Sequence, residues 1–469
     1  MLSRLRMSAL LGILVLVLAA CGDGGGAATE TSTETSGETA PAATTTATDE
    51  PAATDTASPT GTATATATET AEPTEGGTGT PTEEAVTRAE GDLVIWADDT
   101  RVAALQPFAD SFGEENGVTV TLQELAFEQI RDQMQVAAPA GEGPDIIVGA
   151  HDWLGQLVTN GVVAPVEVPN PDDFQDVAIE AFTYEGQLYG LPYAIENIAL
   201  VRNTDLVPEA PATFEELEQT ALELQESGEV ELGLAIQADA PDPYHNYPLF
   251  TALGGYVFGQ NPDGTYDPED IGIDSEGGLA AAGKFREWVD SGLINPDVTY
   301  DVMVDSFGSG NAAFAITGPW AVSQEDPPGF QAQGVPYEVS AIPPVEGGTP
   351  QPFVGVQGFM VSAFAENGLL AQTFLSDYMS TEEAQLALFE AGGRPPALVS
   401  AFEQVQDDPD VAGFGASGAE GVPLPAIPEM GSVWSAWTDA YGLIYQGQGD
   451  PAENFTNAAE QIRTLIAEG

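Results

Sequence analysis

The side chains that could carry chemistry in this sequence are mostly carboxylates: seventy-four acidic residues stand beside only two histidines. The histidines, His151 and His245, lie far apart and lack partners at the spacing of a metal site. A serine–histidine–aspartate arrangement would need one of them, and no Gly-x-Ser-x-Gly motif is present. A Gly-x-x-x-x-Gly-Lys-Ser/Thr phosphate loop is also absent. We therefore predict no catalytic residue, no metal site and no cofactor.

Aromatic residues close to acids indicate a different chemistry, the binding of sugars. Flat rings stack on the apolar faces of pyranoses, while carboxylates, guanidinium groups and amides bond the hydroxyl groups. Taken singly, such an aromatic residue is more often part of a core, as we expect for Trp288 in its helical pattern. Five predicted loops or helix starts carry the mixture: Trp96 with Asp98, Asp99 and Arg101; Asp152 with Trp153; Asp242 with Tyr244, His245 and Tyr247; Trp320; and Trp434 with Trp437.

Charge excludes one class of partner. Ten basic residues against seventy-four acidic ones, in 469 residues, leave none of the basic footprint that nucleic-acid binding requires. Lys284 is the single lysine. A saline or acidic habitat would favour such a surface, because salt screens its repulsion; a high-GC genome would explain the missing lysine but not the shortage of arginine.

The N-terminus predicts secretion and a lipid anchor. Arg4 and Arg6 precede a short apolar run at 10–18, as in a signal peptide, and the run is too short for a membrane span. Leu-Ala-Ala before Cys21, the sole cysteine, resembles a bacterial lipobox; an ordinary signal peptide with a chance cysteine is the alternative. We assign 1–20 to the signal peptide and 21–88 to a disordered Thr/Ala/Glu/Pro-rich tether with a lipidated Cys21.

Beyond the tether, apolar runs alternate with helical patterns, which predicts βαβ units and an α/β fold. In open α/β sheets ligands bind beyond the carboxyl ends of the strands. The predicted strands are 93–97, 118–122, 145–148, 232–236 and 312–317, and the predicted helices are 102–115, 127–138, 151–160, 214–227 and 279–291.

Several motifs together resemble the maltose/maltodextrin-binding type of the family 1 extracellular solute-binding proteins, over residues 91–466. That resemblance implies two lobes, each a mixed sheet flanked by helices, with a ligand cleft between them and three hinge crossings. The lobes would comprise 89–194 with 350–403 and 199–345 with 410–469, with crossings near 194–198, 345–350 and 403–409. The motifs are Gly-Asp-Leu-Val-Ile-Trp at 91–96, Gly-Pro-Asp-Ile-Ile at 143–147, Ala-His-Asp at 150–152, Asp-Gly-Thr-Tyr-Asp at 263–267, Ile-Thr-Gly-Pro-Trp at 316–320 and Phe-Val-Gly-Val at 353–356.

The resemblance also implies roles for individual residues. Tyr244, Trp320 and Trp434 would be stacking platforms, and Tyr300 would reach longer oligosaccharides. The remaining implied residues are Asp152 and Glu196 as acceptors of sugar hydroxyls, Asp242 beside Tyr244, and Trp96, Asp99 and Arg101 at the rim of the first lobe.

Three departures from the family pattern leave the sugar open. Thr100-Arg101 stand where an acid and a lysine are usual, Trp153 replaces an arginine and would supply another flat face in place of a charged donor, and Ser435 replaces a tyrosine. A longer α-glucan, trehalose or another disaccharide therefore remains an alternative to maltose.

We accordingly expect a monomeric binding lipoprotein on the outer face of the cytoplasmic membrane. It would pass a malto-oligosaccharide to the permease subunits of an ABC importer, which are separate chains. A sugar sensor for a signalling receptor is the second hypothesis. A secreted glycosidase is the third; pairs among seventy-four acids arise by chance, so they do not argue for it.

Overall fold

The computed structural model describes residues 86–468, apart from residues 263, 325 and 326 and the side chain of Glu128. The predicted signal peptide, Cys21 and the predicted tether as far as residue 85 lie outside the described residues. The described part belongs to one compact unit. Within it, no helix is both long enough and apolar enough to cross a membrane.

The elements alternate between strand and helix along most of the chain. The strands are β1 (Leu93–Ala97), β2 (Val120–Glu124), β3 (Ile146–Ala150), β4 (Val163–Ala164), β5 (Thr183–Tyr184), β6 (Gln187–Leu188), β7 (Gly190–Glu196), β8 (Ala199–Asn203), β9 (Leu232–Ala235), β10 (Phe258–Gln260), β11 (Tyr266–Ile271), β12 (Ala312–Thr317), β13 (Tyr337–Ser340), β14 (Phe353–Ser362) and β15 (Val422–Pro423). The helices are α1 (Asp99–Asn116), α2 (Phe127–Ala140), α3 (Leu154–Thr159), α4 (Asp176–Ala181), α5 (Phe214–Ser227), α6 (Pro243–Ala252), α7 (Glu276–Ser291), α8 (Tyr300–Gly308), α9 (Pro319–Ser323), α10 (Phe330–Gln333), α11 (Gly368–Phe374), α12 (Glu382–Gly392), α13 (Val399–Val405), α14 (Pro409–Gly418), α15 (Trp434–Tyr445) and α16 (Pro451–Glu468).

The first lobe is built on a mixed sheet in the order β15-β14-β3-β1-β2, with β4 and β7 also paired to β14. Strand β1 runs parallel to β2 and β3, whereas β14 runs antiparallel to β3. Every residue of β1 and β3 is buried, as expected for strands covered on both faces. Helices α1, α2, α11 and α12 contribute to the surrounding core.

The second lobe is built on a four-stranded sheet in the order β13-β8-β12-β9. Strand β12 runs antiparallel to β8 and parallel to β9. The side chains of β12 contribute to two separate cores: Phe314 packs in the larger core, and Ala315, on the opposite face of the strand, packs in the smaller one. The fold is thus a two-lobed α/β structure with several sheets flanked by helices.

The chain passes between the two lobes at three places. Glu196 ends a first-lobe strand, and Ile198 packs in the second lobe. Strand β14 itself makes the second passage, since Phe353 belongs to the second-lobe core and Val356 to that of the first. This passage lies a few residues beyond the 345–350 expected from the sequence. The third lies between α13 and α14.

Residues 86–88, which the sequence analysis assigned to the tether, contact the first lobe. The Arg88 guanidinium donates at 2.7 Å to the Asp145 carboxylate, whose oxygen also accepts from the Val94 amide. The Val86 amide donates to the Gln133 side chain. The chain is therefore attached to the lobe before β1 begins.

The predicted elements are largely confirmed. Strands 93–97 and 312–317 and helix 214–227 have the predicted bounds, and the other strands shift by one or two residues. Two details were wrong. The helix predicted over 127–138 continues through Pro139 to Ala140 and stops at Gly141, which has φ of 79°. The helix predicted over 151–160 is a 3₁₀ turn followed by the short α3.

Candidate functional site

The polar side chains between the lobes are organised around Glu196, the last residue of β7. Its Oε1 accepts a hydrogen bond of 2.7 Å from Gln357 Nε2, and its Oε2 accepts one of 2.5 Å from Arg394 Nε. All three side chains are buried and come from the first lobe. The two donors hold the carboxylate in one orientation at the passage between the lobes.

Arg394 connects this carboxylate to the second lobe. Its guanidinium carbon lies 4.9 Å from the centroid of the Trp320 ring and covers one of the ring's faces. Trp320 follows β12 and lies against Gly318, where a Cβ atom would overlap its six-membered ring. A glycine at 318 therefore sets how deeply the ring packs.

Tyr244 lies beside these groups in the second lobe. Its ring is 6.4 Å from Trp320 and 6.1 Å from Phe353, centroid to centroid. Its hydroxyl is buried and has no hydrogen-bond partner in the described part of the chain. Burial, with the nearby Glu196 and Asp242 carboxylates, raises the pKa of this hydroxyl well above its usual value, so the hydroxyl keeps its proton.

Asp242 positions the helix that carries Tyr244. It caps α6 by accepting from the Tyr244 amide at 2.9 Å, and its other oxygen lies 2.6 Å from His245 Nδ1. The opposite nitrogen of His245 is 3.4 Å from the Thr317 hydroxyl, and the ring stands edge-on to Trp320. Asp242 thus orients the His245 ring, which in turn packs against Trp320.

Asp152 and Trp434 form a direct contact between the lobes. The Trp434 indole nitrogen donates at 3.1 Å to Asp152 Oδ2. Burial raises the pKa of the Asp152 carboxyl to about 6, while Arg131 and the Trp434 hydrogen bond oppose the rise. The neighbouring His151 ring accepts a hydrogen bond from the Val356 amide of β14, and its other nitrogen lies 3.0 Å from the Leu424 carbonyl oxygen. Burial lowers the pKa of His151 to about 4, so the ring is neutral.

Arg101 occupies the first-lobe wall, buried rather than at an exposed rim. It donates to the Tyr193 hydroxyl at 2.6 Å and pairs with Asp98, which also caps α1. Its guanidinium carbon lies 5.0 Å from the Phe127 ring centroid. Its Nη2 is buried and unpartnered in the described part of the chain, and so is Gln357 Oε1.

The structure corrects the sequence prediction at Trp96 and Trp153. Trp96 is fully buried in the first-lobe core, where its nitrogen donates to Gln123, so it offers no face to a ligand. Asp99 is exposed, so its place at the rim of the first lobe stays a prediction, and the acid paired with Arg101 is Asp98. Trp153 packs over Gly149 and against Phe127, so it is a buried wall rather than a free stacking face.

The remaining predicted residue, Tyr300, opens α8 and is half-buried. Burial raises its pKa, and Arg394 and Asp99 are the charged groups whose fields act on it most strongly.

Sequence reasoning missed Gln357, Arg394 and Tyr193. A glutamine in the otherwise apolar run Phe353–Ser362 is a signal that could have been noticed, because buried polar residues are uncommon without a role. Arg394 follows two glycines and precedes two prolines, again an unusual setting in a sequence with few basic residues.

Two α/β lobes joined by three passages, with aromatic and paired polar side chains between them, are typical of the binding proteins that hold a ligand between two lobes. The chain belongs to the bacterial extracellular solute-binding protein family, whose model matches residues 108–413.

Individual relatives agree with this assignment. A galactooligosaccharide-binding protein of Bacillus subtilis is 29% identical over 80% of this chain and 89% of its own length. A maltotriose-binding protein of Pyrococcus abyssi is 30% identical, over 75% of this chain and 77% of its own. A maltooligosaccharide ABC transporter solute-binding lipoprotein of Streptococcus pneumoniae is 27% identical, over 80% and 88%.

Proposed function

We propose that this protein captures a neutral oligosaccharide between its lobes, a malto-oligosaccharide in the first instance, and delivers it to an ABC importer. The observation that carries the proposal is that the buried carboxylate of Glu196, hydrogen-bonded to Arg394, lies beside the paired aromatic rings of Tyr244 and Trp320. Carboxylate oxygens accept sugar hydroxyls, and aromatic faces bury the apolar faces of pyranose rings.

Charge balance supports a neutral ligand. Arg101 is paired with Asp98, and Arg394 with Glu196, so each buried guanidinium already has a counter-charge. Asp152 adds a further buried carboxyl, which accepts a hydrogen bond from the neutral Trp434 side chain. An anionic ligand would bring an uncompensated charge into this region, at a high desolvation cost.

The names of the relatives support the sugar class. Two of the three bind malto-oligosaccharides by name, and the lipoprotein name supports anchoring through Cys21. We propose that Asp152, Glu196, Asp242, Tyr244, Tyr300, Trp320 and Trp434 contact or position the sugar, with Arg101 and Trp153 forming the first-lobe wall. A galacto-oligosaccharide is the second candidate ligand, because one relative carries that name.

We propose binding without catalysis. Both oxygens of Glu196 accept hydrogen bonds from neighbouring donors, and Asp152 accepts one from Trp434, so these carboxylates are arranged as hydrogen-bond acceptors. Release of shorter sugars during prolonged incubation with maltotriose would overturn this part of the proposal.

Calorimetric titration of the chain carrying Cys21→Ser tests the proposed ligand class. Maltose, maltotriose, trehalose and galactobiose are the ligands, with xylobiose as the control. We expect a dissociation constant in the micromolar range, about 8 kcal/mol, for one of the first four. Binding to none of them would reject the sugar assignment, while tight binding of xylobiose alone would move it to other glycosides.

A further inference from the structure

Arg394 occupies an unusual place between the lobes. It follows α12 of the first lobe and is buried, with Nε bonded to Glu196 and its guanidinium plane over Trp320 of the second lobe. A guanidinium carries five donors, and the Glu196 bond uses one of them. Neither Nη1 nor Nη2 makes a hydrogen bond within the described part of the chain.

The residues around Arg394 hold its backbone and leave room for its side chain. A Cβ atom at Gly392 would lie 2.7 Å from Arg394 Nη1, and Gly393 adopts φ of 64° while approaching Ser323 of the second lobe. The Pro395 carbonyl accepts a 2.9 Å hydrogen bond from the Ile195 amide. The run from Gly392 to Pro395 thus fixes where the guanidinium lies.

We propose that Arg394 is a sugar-binding residue that selects uncharged ligands, with Nη1 and Nη2 donating to neighbouring oxygens on one pyranose edge. This inference rests on the proposed function. Trp320 holds the plane of the guanidinium and Glu196 fixes its rotation, so the N–H groups of Nη1 and Nη2 are held in fixed positions from which they can donate. The covered face of Trp320 then supports Arg394 rather than a sugar ring.

The counter-charge determines which ligands Arg394 accepts. An isolated guanidinium would favour a carboxylate, which matches its fork of donors. Here Glu196 already supplies that carboxylate at 2.5 Å and would repel a second one. Sugar hydroxyl and ring oxygens accept hydrogen bonds without adding charge, so a neutral sugar should bind better than its uronic-acid counterpart.

Three substitutions test the role of Arg394, with titration of the sugar that the wild-type chain binds among maltose, maltotriose, trehalose and galactobiose. Arg394→Gln should weaken binding roughly 10- to 100-fold, because charge-assisted hydrogen bonds are lost. Arg394→Lys keeps the charge but loses the stacked fork, and should also weaken binding. Gly392→Ala keeps every charge and displaces Nη1, so it should weaken binding less than Arg394→Gln.

Arg202→Lys is the matched control. Arg202 is also buried and ion-paired, with Glu338, but lies in β8 of the second-lobe sheet. It should leave sugar affinity unchanged. Unchanged affinity in both Arg394→Lys and Gly392→Ala would overturn the inference, and so would tighter binding of a uronic-acid disaccharide than of its neutral counterpart by the wild-type chain.

A double-mutant cycle separates direct binding from general support of the fold. Because Arg394 and Trp320 act together, Arg394→Gln in a Trp320→Ala background should cost much less than in the wild type. If the losses of binding free energy from the two substitutions were additive, Arg394 and Trp320 would act independently, which would contradict the proposed contact between them. Failure of the wild type to bind any of the four sugars rejects the proposed function and the inference with it, whereas wild-type binding with unaffected variants rejects the inference alone.

Discussion

The indole nitrogen of Trp434, in the second lobe, donates a 3.1 Å hydrogen bond to the carboxylate of Asp152, in the first. The two residues are 282 positions apart in the chain. The bond joins the start of α15 to the turn that follows β3, so it can exist only when the lobes are together. Asp152 therefore links the protonation of one buried carboxyl to the contact between the lobes.

Asp152 should make stability depend on pH in a direction opposite to that of an ordinary ion-paired acid. Burial raises its pKa in the folded state to about 6, from an ordinary value of 3.8, so the folded state holds this proton more tightly. Stability should fall as pH rises from about 4 to 6, by about 2 to 3 kcal/mol from this residue. The measurement is urea unfolding of wild type and Asp152→Asn across that range, with the difference between the two curves isolating the residue. If the free energies of unfolding of the two proteins changed in parallel with pH, burial would not raise the pKa of the Asp152 carboxyl.

Trp320→Ala should weaken sugar binding by about 2 kcal/mol or more, through loss of the aromatic surface and of the support for Arg394. Trp320→Phe keeps a flat ring and should lose less. Calorimetry with the best ligand of the wild type measures both. An affinity equal to that of the wild type in Trp320→Ala would remove Trp320 from the site.

Arg88→Met should destabilise the protein by about 3 kcal/mol without changing sugar affinity. The Arg88–Asp145 pair is nearly inaccessible to solvent, and removal of one partner leaves a buried charge. Arg463→Met is the control, since its pair with Asp274 is more exposed and should contribute about 1 kcal/mol or less. Chemical denaturation compares the two; equal small losses would mean that residues 86–88 do not support the lobe.

The thermal midpoint should rise steeply between low salt and about 2 M KCl, because ions screen the repulsion among the acidic side chains. The formal net charge of −64 makes this effect large. Trimethylamine N-oxide controls for solvent exclusion, which also stabilises folded proteins. A midpoint that does not move with KCl would contradict adaptation to a saline habitat.

Local pattern was sufficient for the elements. Leu93–Ala97 and Ala312–Thr317 are short apolar runs between polar segments, and Phe214–Ser227 has helical spacing between a threonine cap and a glycine stop. These signals act over a few residues, so the sequence contains them directly. The glycine stop is conformational, since Gly228 has φ of 75°.

Pattern could not decide which aromatic residues face the cleft. Trp96 and Trp320 both stand near the carboxyl end of a strand, yet Trp96 is the fourth residue of a strand buried on both faces, while Trp320 follows its strand on α9. A strand covered on both faces has no polar alternation to mark its orientation. Pattern also could not distinguish the roles of Asp98 and Asp99, because only the start of α1 determines which of them caps the helix.

The sequence by itself determined the α/β class, the order of the elements, the strongly acidic character and the absence of a nucleic-acid footprint, since each depends on composition or on short-range pattern. Only the tertiary structure decided that Glu196 meets Gln357 and Arg394, which are 161 and 198 residues away. Those contacts arise where strand β14 and the segment after α12 return to β7. Such contacts depend on the packing of segments that are distant in the chain, and local propensity does not encode them.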